Sequence, residues 1–350
     1  MNKLLVIIGP TATGKTDLAL RLAALAGGEL VACDSRQVYK GLDIGTGKMS
    51  SSTTRHPELD SGSNFEIPKQ VRNDIKKDKG FWEIDEVKIW MYDVVSLRKQ
   101  YSVSEYVKDA NRVIAEIWKR GNLPIIVGGT GLYLRALLEG LSNLSIPVDK
   151  NLRRHLDNLS LKQLQIRLKQ LSPERWEKLN GSDRQNPRRL IRAIELSLSS
   201  LRVQQSNLGR MNPKSSLPRP FGARNDVLKI GLTAPRDVLY KRVDERVLDW
   251  IDQGILEEVK ELSKNGVGLK RFKELGLEYS LVARCLEGEI TDENLIKKMQ
   301  VDLHGYVRRQ LTWFKKESQV NWFDITNKSY LENIEILVSS WYHNLNDKKN

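Results

Sequence analysis

Gly9-Pro10-Thr11-Ala12-Thr13-Gly14-Lys15-Thr16 has the spacing G-x-x-x-x-G-K-[ST], the strongest chemical signal in the chain. Its glycines permit a tight turn whose backbone N–H groups and following helix N-terminus point at a diphosphate. Lys15 adds a point charge, and Thr16 offers a hydroxyl to a magnesium ion. The spacing specifies a diphosphate and leaves open what carries it. On ATP it would serve a kinase, with a further acidic residue organising magnesium; on a diphosphate leaving group it would serve a transferase. A second candidate is Asp34, in Asp34-Ser35-Arg36-Gln37-Val38-Tyr39. A carboxylate just after a strand can take a proton or orient an amine, and it can equally cap a turn. A third is the pair Arg242 and Arg246, spaced to share one helical face, either toward an anion or in solvent beside Asp244, Glu245 and Asp249.

These residues need elements to place them. Lys3 to Ile8 is a short β-branched run closed by Gly9, and Lys15 to Ala26 is periodic with one apolar face, so the phosphate loop lies between a strand and a helix. Strands are expected at Leu30 to Cys33, Val87 to Val95, Leu123 to Val127 and Val227 to Leu232. A helix from Ser104 to Arg120 stops at Gly121. Such alternation predicts an α/β fold, a parallel sheet with helices on both faces, with Asp34 at a strand's carboxyl end where ligands bind. Between about Leu141 and Ala223 short helices follow one another without strands, ending in a Pro- and Ser-containing loop from Asn212 to Arg224. The expected organisation is a core of residues 1–140 and 224–325, an all-helical insertion of 141–223, and a C-terminal helix or tail of 326–350. After Leu232 only helices are expected, including Arg236 to Asp252 and about Asp292 to Glu317. Ser50 to Glu86, a Ser/Thr tract followed by mixed charge, reads as a solvated insertion.

Composition narrows the partners. Lys and Arg number 57 against 44 Asp and Glu in 350 residues, a formal charge of +13 that favours a polyanion such as nucleic acid. Cys33 and Cys285 stand far apart in no C-x-x-C pair, which argues against a disulfide framework or a cysteine zinc site and fits a reducing cytoplasm. Met1 to Ile8 leads straight into the glycine loop and reads as a buried strand. No run approaches the ~20 apolar residues of a membrane span. Basic residues cluster at Arg184, Arg188, Arg189 and Arg192 around a helix start at Asn186-Pro187, and at Arg308, Arg309, Lys315 and Lys316 around Trp313-Phe314. Such clusters suit phosphate contacts that position a nucleic acid; Trp313, between Leu311 and Phe314, reads as core.

Four segments in order carry a resemblance: the phosphate loop; Asp34 to Tyr39 with Gly41-Leu42-Asp43-Ile44-Gly45-Thr46; Pro124 to Val127 with Gly128-Gly129-Thr130-Gly131-Leu132-Tyr133; and Arg309-Gln310-Leu311-Thr312-Trp313-Phe314. Together, from about residue 3 to 316, the chain resembles the tRNA dimethylallyltransferase family, and Asn186 to Glu195 is similar to a further family segment. The resemblance implies transfer of a dimethylallyl group from dimethylallyl diphosphate to N6 of the adenosine 3′-adjacent to the anticodon. It implies Asp34 as the carboxylate on the exocyclic amine, and Thr11, Lys15 and Arg246 at the reacting diphosphate. Gly9 to Thr16, Thr130 and Arg242 would line the diphosphate, and Thr16 would bind Mg²⁺. Asp34, Ser35, Gln37, Arg188, Arg189, Arg192, Arg308 and Arg309 would face the tRNA anticodon arm, with the target base out of its stack. A cytoplasmic monomer is expected. Prenylation of free adenine nucleotide and a P-loop small-molecule kinase are the alternative chemistries, and an inactive RNA-binding protein the alternative class. The chain departs from the family at Leu303-His304, where Thr-Arg is usual, and at Leu275-Gly276-Leu277, where Ile-Gly-Tyr is usual. His304 would then contact phosphate in a pH-dependent way, or pack as a neutral side chain.

Overall fold

The structure is a computed structural model that describes residues 2–48, 75–78, 80–141, 143, 146, 148–206 and 226–343. The first part of the core holds β1 (Lys3–Ile8), α1 (Lys15–Ala26), β2 (Gly28–Ala32), β3 (Lys76–Asp78), β4 (Phe81–Ile84), β5 (Val87–Trp90), α2 (Val103–Lys119), β6 (Leu123–Val127) and α3 (Gly131–Leu138). Five helices follow: α4 (Lys150–Asp157), α5 (Leu161–Leu171), α6 (Pro173–Glu177), α7 (Gly181–Arg184) and α8 (Pro187–Ser206). The core then resumes with β7 (Asp226–Thr233), α9 (Arg236–Asp252), α10 (Ile255–Lys264), α11 (Leu269–Leu275), α12 (Leu277–Leu286), α13 (Asp292–Phe314), β8 (Val320–Asp324) and α14 (Tyr330–His343). Two compact units result, one spanning Gly140–Arg219 and the other formed by the chain on both sides of it.

The sheet runs β3-β4-β5-β2-β6-β1-β7-β8, parallel from β5 to β8, with β4 antiparallel to both β3 and β5. Its central strands, such as KLLVII and LPIIV, are continuous apolar runs because helices cover both faces of the sheet. β2, β6 and β1 are immediate neighbours, with Leu30 opposite Ile125 and Ile125 opposite Leu5. The loops leaving their carboxyl ends therefore meet. They are Cys33–Tyr39, Gly128–Thr130 and Gly9–Gly14, the three glycine- and Asp34-containing segments singled out by sequence. The close approach is steric: a side chain on Gly128 would overlap the Cys33 carbonyl, and one on Gly9 would overlap that of Leu232.

Two expectations change and a third gains detail. The solvated reading of Ser50 to Glu86 fails where it can be tested, since β3 and β4 extend the sheet and Trp82 is 0% exposed, its Nε1 donating to Asp93 Oδ2 at 2.7 Å. Residues 49–74 lie outside the described residues, as does the loop from Asn212 to Arg224. Secondly, a strand, β8, follows α13 where helices are expected after Leu232. Its sequence VNWFD is an edge strand with no fully buried residue, so it lacks the apolar run of its neighbours. Thirdly, the expected C-terminal helix forms, as α14, and it packs on the core: Ile334 and Val338 are buried, Arg21 pairs with Glu335, and Lys3 Nζ donates to the Trp341 and Tyr342 carbonyls at 2.6 and 2.5 Å. No described helix is long and apolar enough to cross a membrane.

Trp82→Ala is expected to cost about 3–5 kcal/mol, because it opens a cavity and strips the Asp93 carboxylate of a donor. Denaturant unfolding measures it; a loss below about 1 kcal/mol, the range of ordinary surface changes, would return this segment to the surface.

Candidate active site

The phosphate loop has the backbone its sequence requires. Gly14 is left-handed at φ +73° as the N-cap of α1, and Ala12 is also left-handed at φ +67°, a conformation an L side chain adopts only when its surroundings enforce it. They are enforced here by side chains. Thr13 Oγ1 donates to the Pro10 carbonyl at 2.8 Å, and Lys15 Nζ donates to the same oxygen at 2.5 Å. From α9, Arg246 Nη1 reaches Thr11 Oγ1 at 3.0 Å and Arg242 Nη1 lies 3.5 Å from the Ala12 carbonyl. Three cations thus converge on one loop, a cost in self-repulsion that an anion would relieve. Burial pushes the Lys15 ammonium down to about 7, with the Arg246 charge adding to the shift and Asp34 opposing it.

Asp34 stands at the end of β2 with its side chain 17% exposed. Its Oδ1 accepts the Arg36 backbone N–H at 2.9 Å. Thr130 joins this loop to the second glycine loop: its Oγ1 accepts from Ser35 N–H at 3.1 Å and its own N–H donates to the Cys33 carbonyl at 3.1 Å. Gln37 Nε2 donates to the Thr46 carbonyl at 3.1 Å. Sequence gave no sign of what holds the loop from Gly41 to Thr46. Glu258 Oε2 accepts the N–H groups of Asp43 and Ile44, both at 2.9 Å, while Tyr279 OH donates to Glu258 Oε1 at 2.8 Å and accepts from Gly45 N–H. Lys48, fully buried, donates to the Tyr39 carbonyl at 2.7 Å and to Asp93 Oδ1 at 2.6 Å. Burial pushes the Glu258 carboxyl above its usual range, against the opposing pull of three donors, the Ile44 and Asp43 N–H groups and the Tyr279 hydroxyl.

The Arg309 to Phe314 segment also acts through packing. Gln310 is buried on α13; its Oε1 accepts Thr11 N–H at 2.9 Å and its Nε2 donates to the Gly129 carbonyl at 3.1 Å, so one amide clamps both glycine loops. Trp313 lies against Gly131, where any Cβ would overlap the indole, in accord with the core reading. Arg308 and Arg309 are exposed, Arg309 with its guanidinium 5.9 Å from the Tyr306 ring centre. His304 Nε2 lies 2.8 Å from Asp244 Oδ1, and its ring stacks on Tyr240 at 4.0 Å. It has protein partners on both counts, and the phosphate contact has no geometric support.

Within the helical unit the arginines divide by environment. Arg188 and Arg189 are exposed at the start of α8, Arg189 paired with Asp183. Arg192 turns inward instead: it pairs with the buried Glu195 and donates to the Asn143 and Ile146 carbonyls at 2.8 and 3.0 Å. Arg153 binds Glu195 as well, at 2.8 Å. Arg192 therefore fastens the unit's own loops, a correction to its grouping with the nucleic-acid contacts.

The chain matches the model described as "IPP transferase" over residues 79–317 and that described as "Isopentenyl transferase" over residues 2–57. It belongs to the IPP transferase family. A tRNA dimethylallyltransferase from Thermomicrobium roseum is 35% identical over 346 residues, 95% of this chain and 91% of that protein. One from Limosilactobacillus fermentum is 34% identical over 355 residues, 97% and 99% of the two chains. Among solved structures, the tRNA isopentenylpyrophosphate transferase of Bacillus halodurans is 27% identical with a TM-score of 0.63, covering 100% of this chain and 99% of that one. The doubly covered sheet and P-loop are thus those of the family.

Proposed function

We infer that this protein is an enzyme that transfers a dimethylallyl group from dimethylallyl diphosphate to tRNA. The observation that carries the reading is the meeting, on three adjacent strands, of a cationic diphosphate loop and a partly exposed carboxylate. The acceptor we propose is N6 of the adenosine 3′-adjacent to the anticodon. That amine is a poor nucleophile because its lone pair is delocalised into the ring, so it needs a base as the C–N bond forms, and Asp34 supplies one. The departing diphosphate gathers charge, which Lys15, Arg246 and the loop N–H groups stabilise while they are already in place. Thr11 is positioned between these roles, its N–H held by Gln310 and its hydroxyl by Arg246. Gly9, Pro10, Ala12, Thr13, Gly14, Thr130 and Arg242 shape the cradle.

Among the described residues no group of three or more His, Cys, Asp or Glu could hold a metal ion by itself. The Thr16 hydroxyl fits Mg²⁺, which commonly takes few protein ligands and keeps water and substrate phosphate oxygens as the rest. Bound there, it would neutralise diphosphate charge. Arg188, Arg189, Arg308 and Arg309 are proposed as tRNA phosphate contacts, with Ser35 and Gln37 near the base and the unit Gly140–Arg219 on the anticodon arm. A cytoplasmic monomer is proposed. Prenylation of free adenine nucleotide and γ-phosphate transfer are not favoured, since the relatives matched over nearly their whole length are tRNA enzymes. Incubation with labelled dimethylallyl diphosphate, Mg²⁺ and unmodified tRNA, followed by nucleoside analysis, should place label in isopentenyladenosine; label elsewhere would reject the acceptor.

Arg188→Ala and Arg309→Ala are each expected to weaken tRNA binding uniformly and to lower the salt slope of log K by about one. Arg192→Ala should instead destabilise the helical unit, since it leaves Glu195 buried with less positive charge. Unchanged salt slopes in both surface variants would remove them from the interface.

A further inference from the structure

Arg36 lies beside the base with no role so far. Its backbone N–H donates to Asp34 Oδ1 at 2.9 Å and its Nε sits 3.9 Å from the same oxygen. The rest of the guanidinium faces away from Asp34: Nη1 pairs with Glu278 on α12, whose side chain is 0% exposed, and the plane lies 5.6 Å from the Tyr306 ring centre on α13. Asp34 Oδ2 makes no hydrogen bond among the described residues. Glu278 Oε2 is likewise buried without a partner, so this carboxylate depends on Arg36 for charge compensation.

We propose that Arg36 is a positioning residue: its backbone N–H occupies Asp34 Oδ1, and its guanidinium, fixed by Glu278 and Tyr306, holds positive charge beside that same oxygen, which leaves Oδ2 as the oxygen that takes the proton of the substrate amine. The inference rests on the proposed prenyl transfer to an exocyclic amine. Two carboxylates share one guanidinium, and this makes the pair testable by charge. Removing the cation leaves Asp34 facing Glu278, which favours the protonated base; removing the Glu278 charge commits the guanidinium wholly to Asp34, which favours the ionised base. The groups that face Asp34 electrostatically are Lys15, Cys33, Arg36, Tyr92, Tyr133, Glu278 and Tyr306. Burial pushes Cys33 and the tyrosines above their usual ranges and holds them neutral; it also lowers Lys15 to about 7 and raises Glu278, so Arg36 is the most persistent of the three charges nearby.

The experiment is steady-state prenyl transfer with dimethylallyl diphosphate and unmodified tRNA, measured against pH. The enzymes are wild type, Arg36→Met, Arg36→Lys, Glu278→Gln, the double variant Arg36→Met with Glu278→Gln, and Asp34→Asn. Arg36→Met should lower kcat by about 10²-fold, the scale of a base misplaced by about 1 Å, with both KM values nearly unchanged. The acid limb of kcat should move to higher pH in Arg36→Met and to lower pH in Glu278→Gln, and Arg36→Lys should recover part of the rate. If Arg36→Met fails to fold around the uncompensated Glu278, the double variant carries the same kcat prediction without a buried lone charge. Wild-type kcat in the folded Arg36 variants, shifts of both limbs in one direction, or a defect confined to the tRNA KM would overturn the proposal. Asp34→Asn separates the readings: if it turns over normally the base assignment itself fails, whereas an inactive Asp34→Asn beside normal Arg36 variants sinks only the positioning role.

Discussion

Asp34→Asn should bind tRNA and dimethylallyl diphosphate as the wild type does and lose about 10²–10⁴ in turnover, the usual worth of a general base. Asparagine keeps the shape of the side chain, and its carbonyl oxygen can still accept the Arg36 N–H that Asp34 Oδ1 accepts at 2.9 Å. The loop is further held through Ser35, Thr130 and Gln37, none of which depends on the Asp34 charge. The amide fails only in accepting a proton. Single-turnover rates with both substrates saturating, set beside dissociation constants for each, distinguish a chemical from a binding defect. Near-normal turnover would take Asp34 out of the mechanism.

Lys15→Ala is expected to cost about 3–4 kcal/mol of transition-state stabilisation, the scale for one preorganised contact to a developing anion. Lys15 is the loop's own cation: Arg246 and Arg242 reach the loop from α9, at Thr11 Oγ1 and the Ala12 carbonyl, and so do not take its place. The loop itself should keep its turn, because Thr13 Oγ1 still holds the Pro10 carbonyl when the ammonium is gone. The defect should therefore appear in kcat and in kcat/KM for the diphosphate donor, and persist at saturating tRNA. Full recovery at high tRNA concentration would place Lys15 on the RNA and away from the leaving group.

The departures from expectation share a pattern. Trp82 and β4 were hidden because their strand is short, mixed in charge and next to a polar tract, so no local period reports that Trp82 fills the core. Arg192 reads like Arg188 and Arg189 because all are arginines on one segment. Only the three-dimensional placement of Glu195 and of two loop carbonyls draws it inward. For His304 the sequence allowed a phosphate contact or a packed side chain, and only the fold shows that Asp244, sixty residues earlier on α9, is its neighbour.

By itself the sequence determined the diphosphate loop, the parallel sheet around it and the carboxylate after the second strand, because each is written in local spacing, and four motifs in order carried the resemblance to the family. A glycine turn needs its glycines and lysine in fixed order, and a strand buried on both faces needs an unbroken apolar run. Tertiary structure alone decided what holds these parts in register. Gln310 clamps two loops 181 residues and more from its own place in the chain, Glu258 and Tyr279 fix the loop from Gly41 to Thr46, and Glu278 balances Arg36 beside the base. Such partners are single polar side chains on helices, with no periodicity to mark them. Their effect comes from burial, where an unpaired polar group is costly and a paired one is rigid, and burial is a property of the folded chain as a whole.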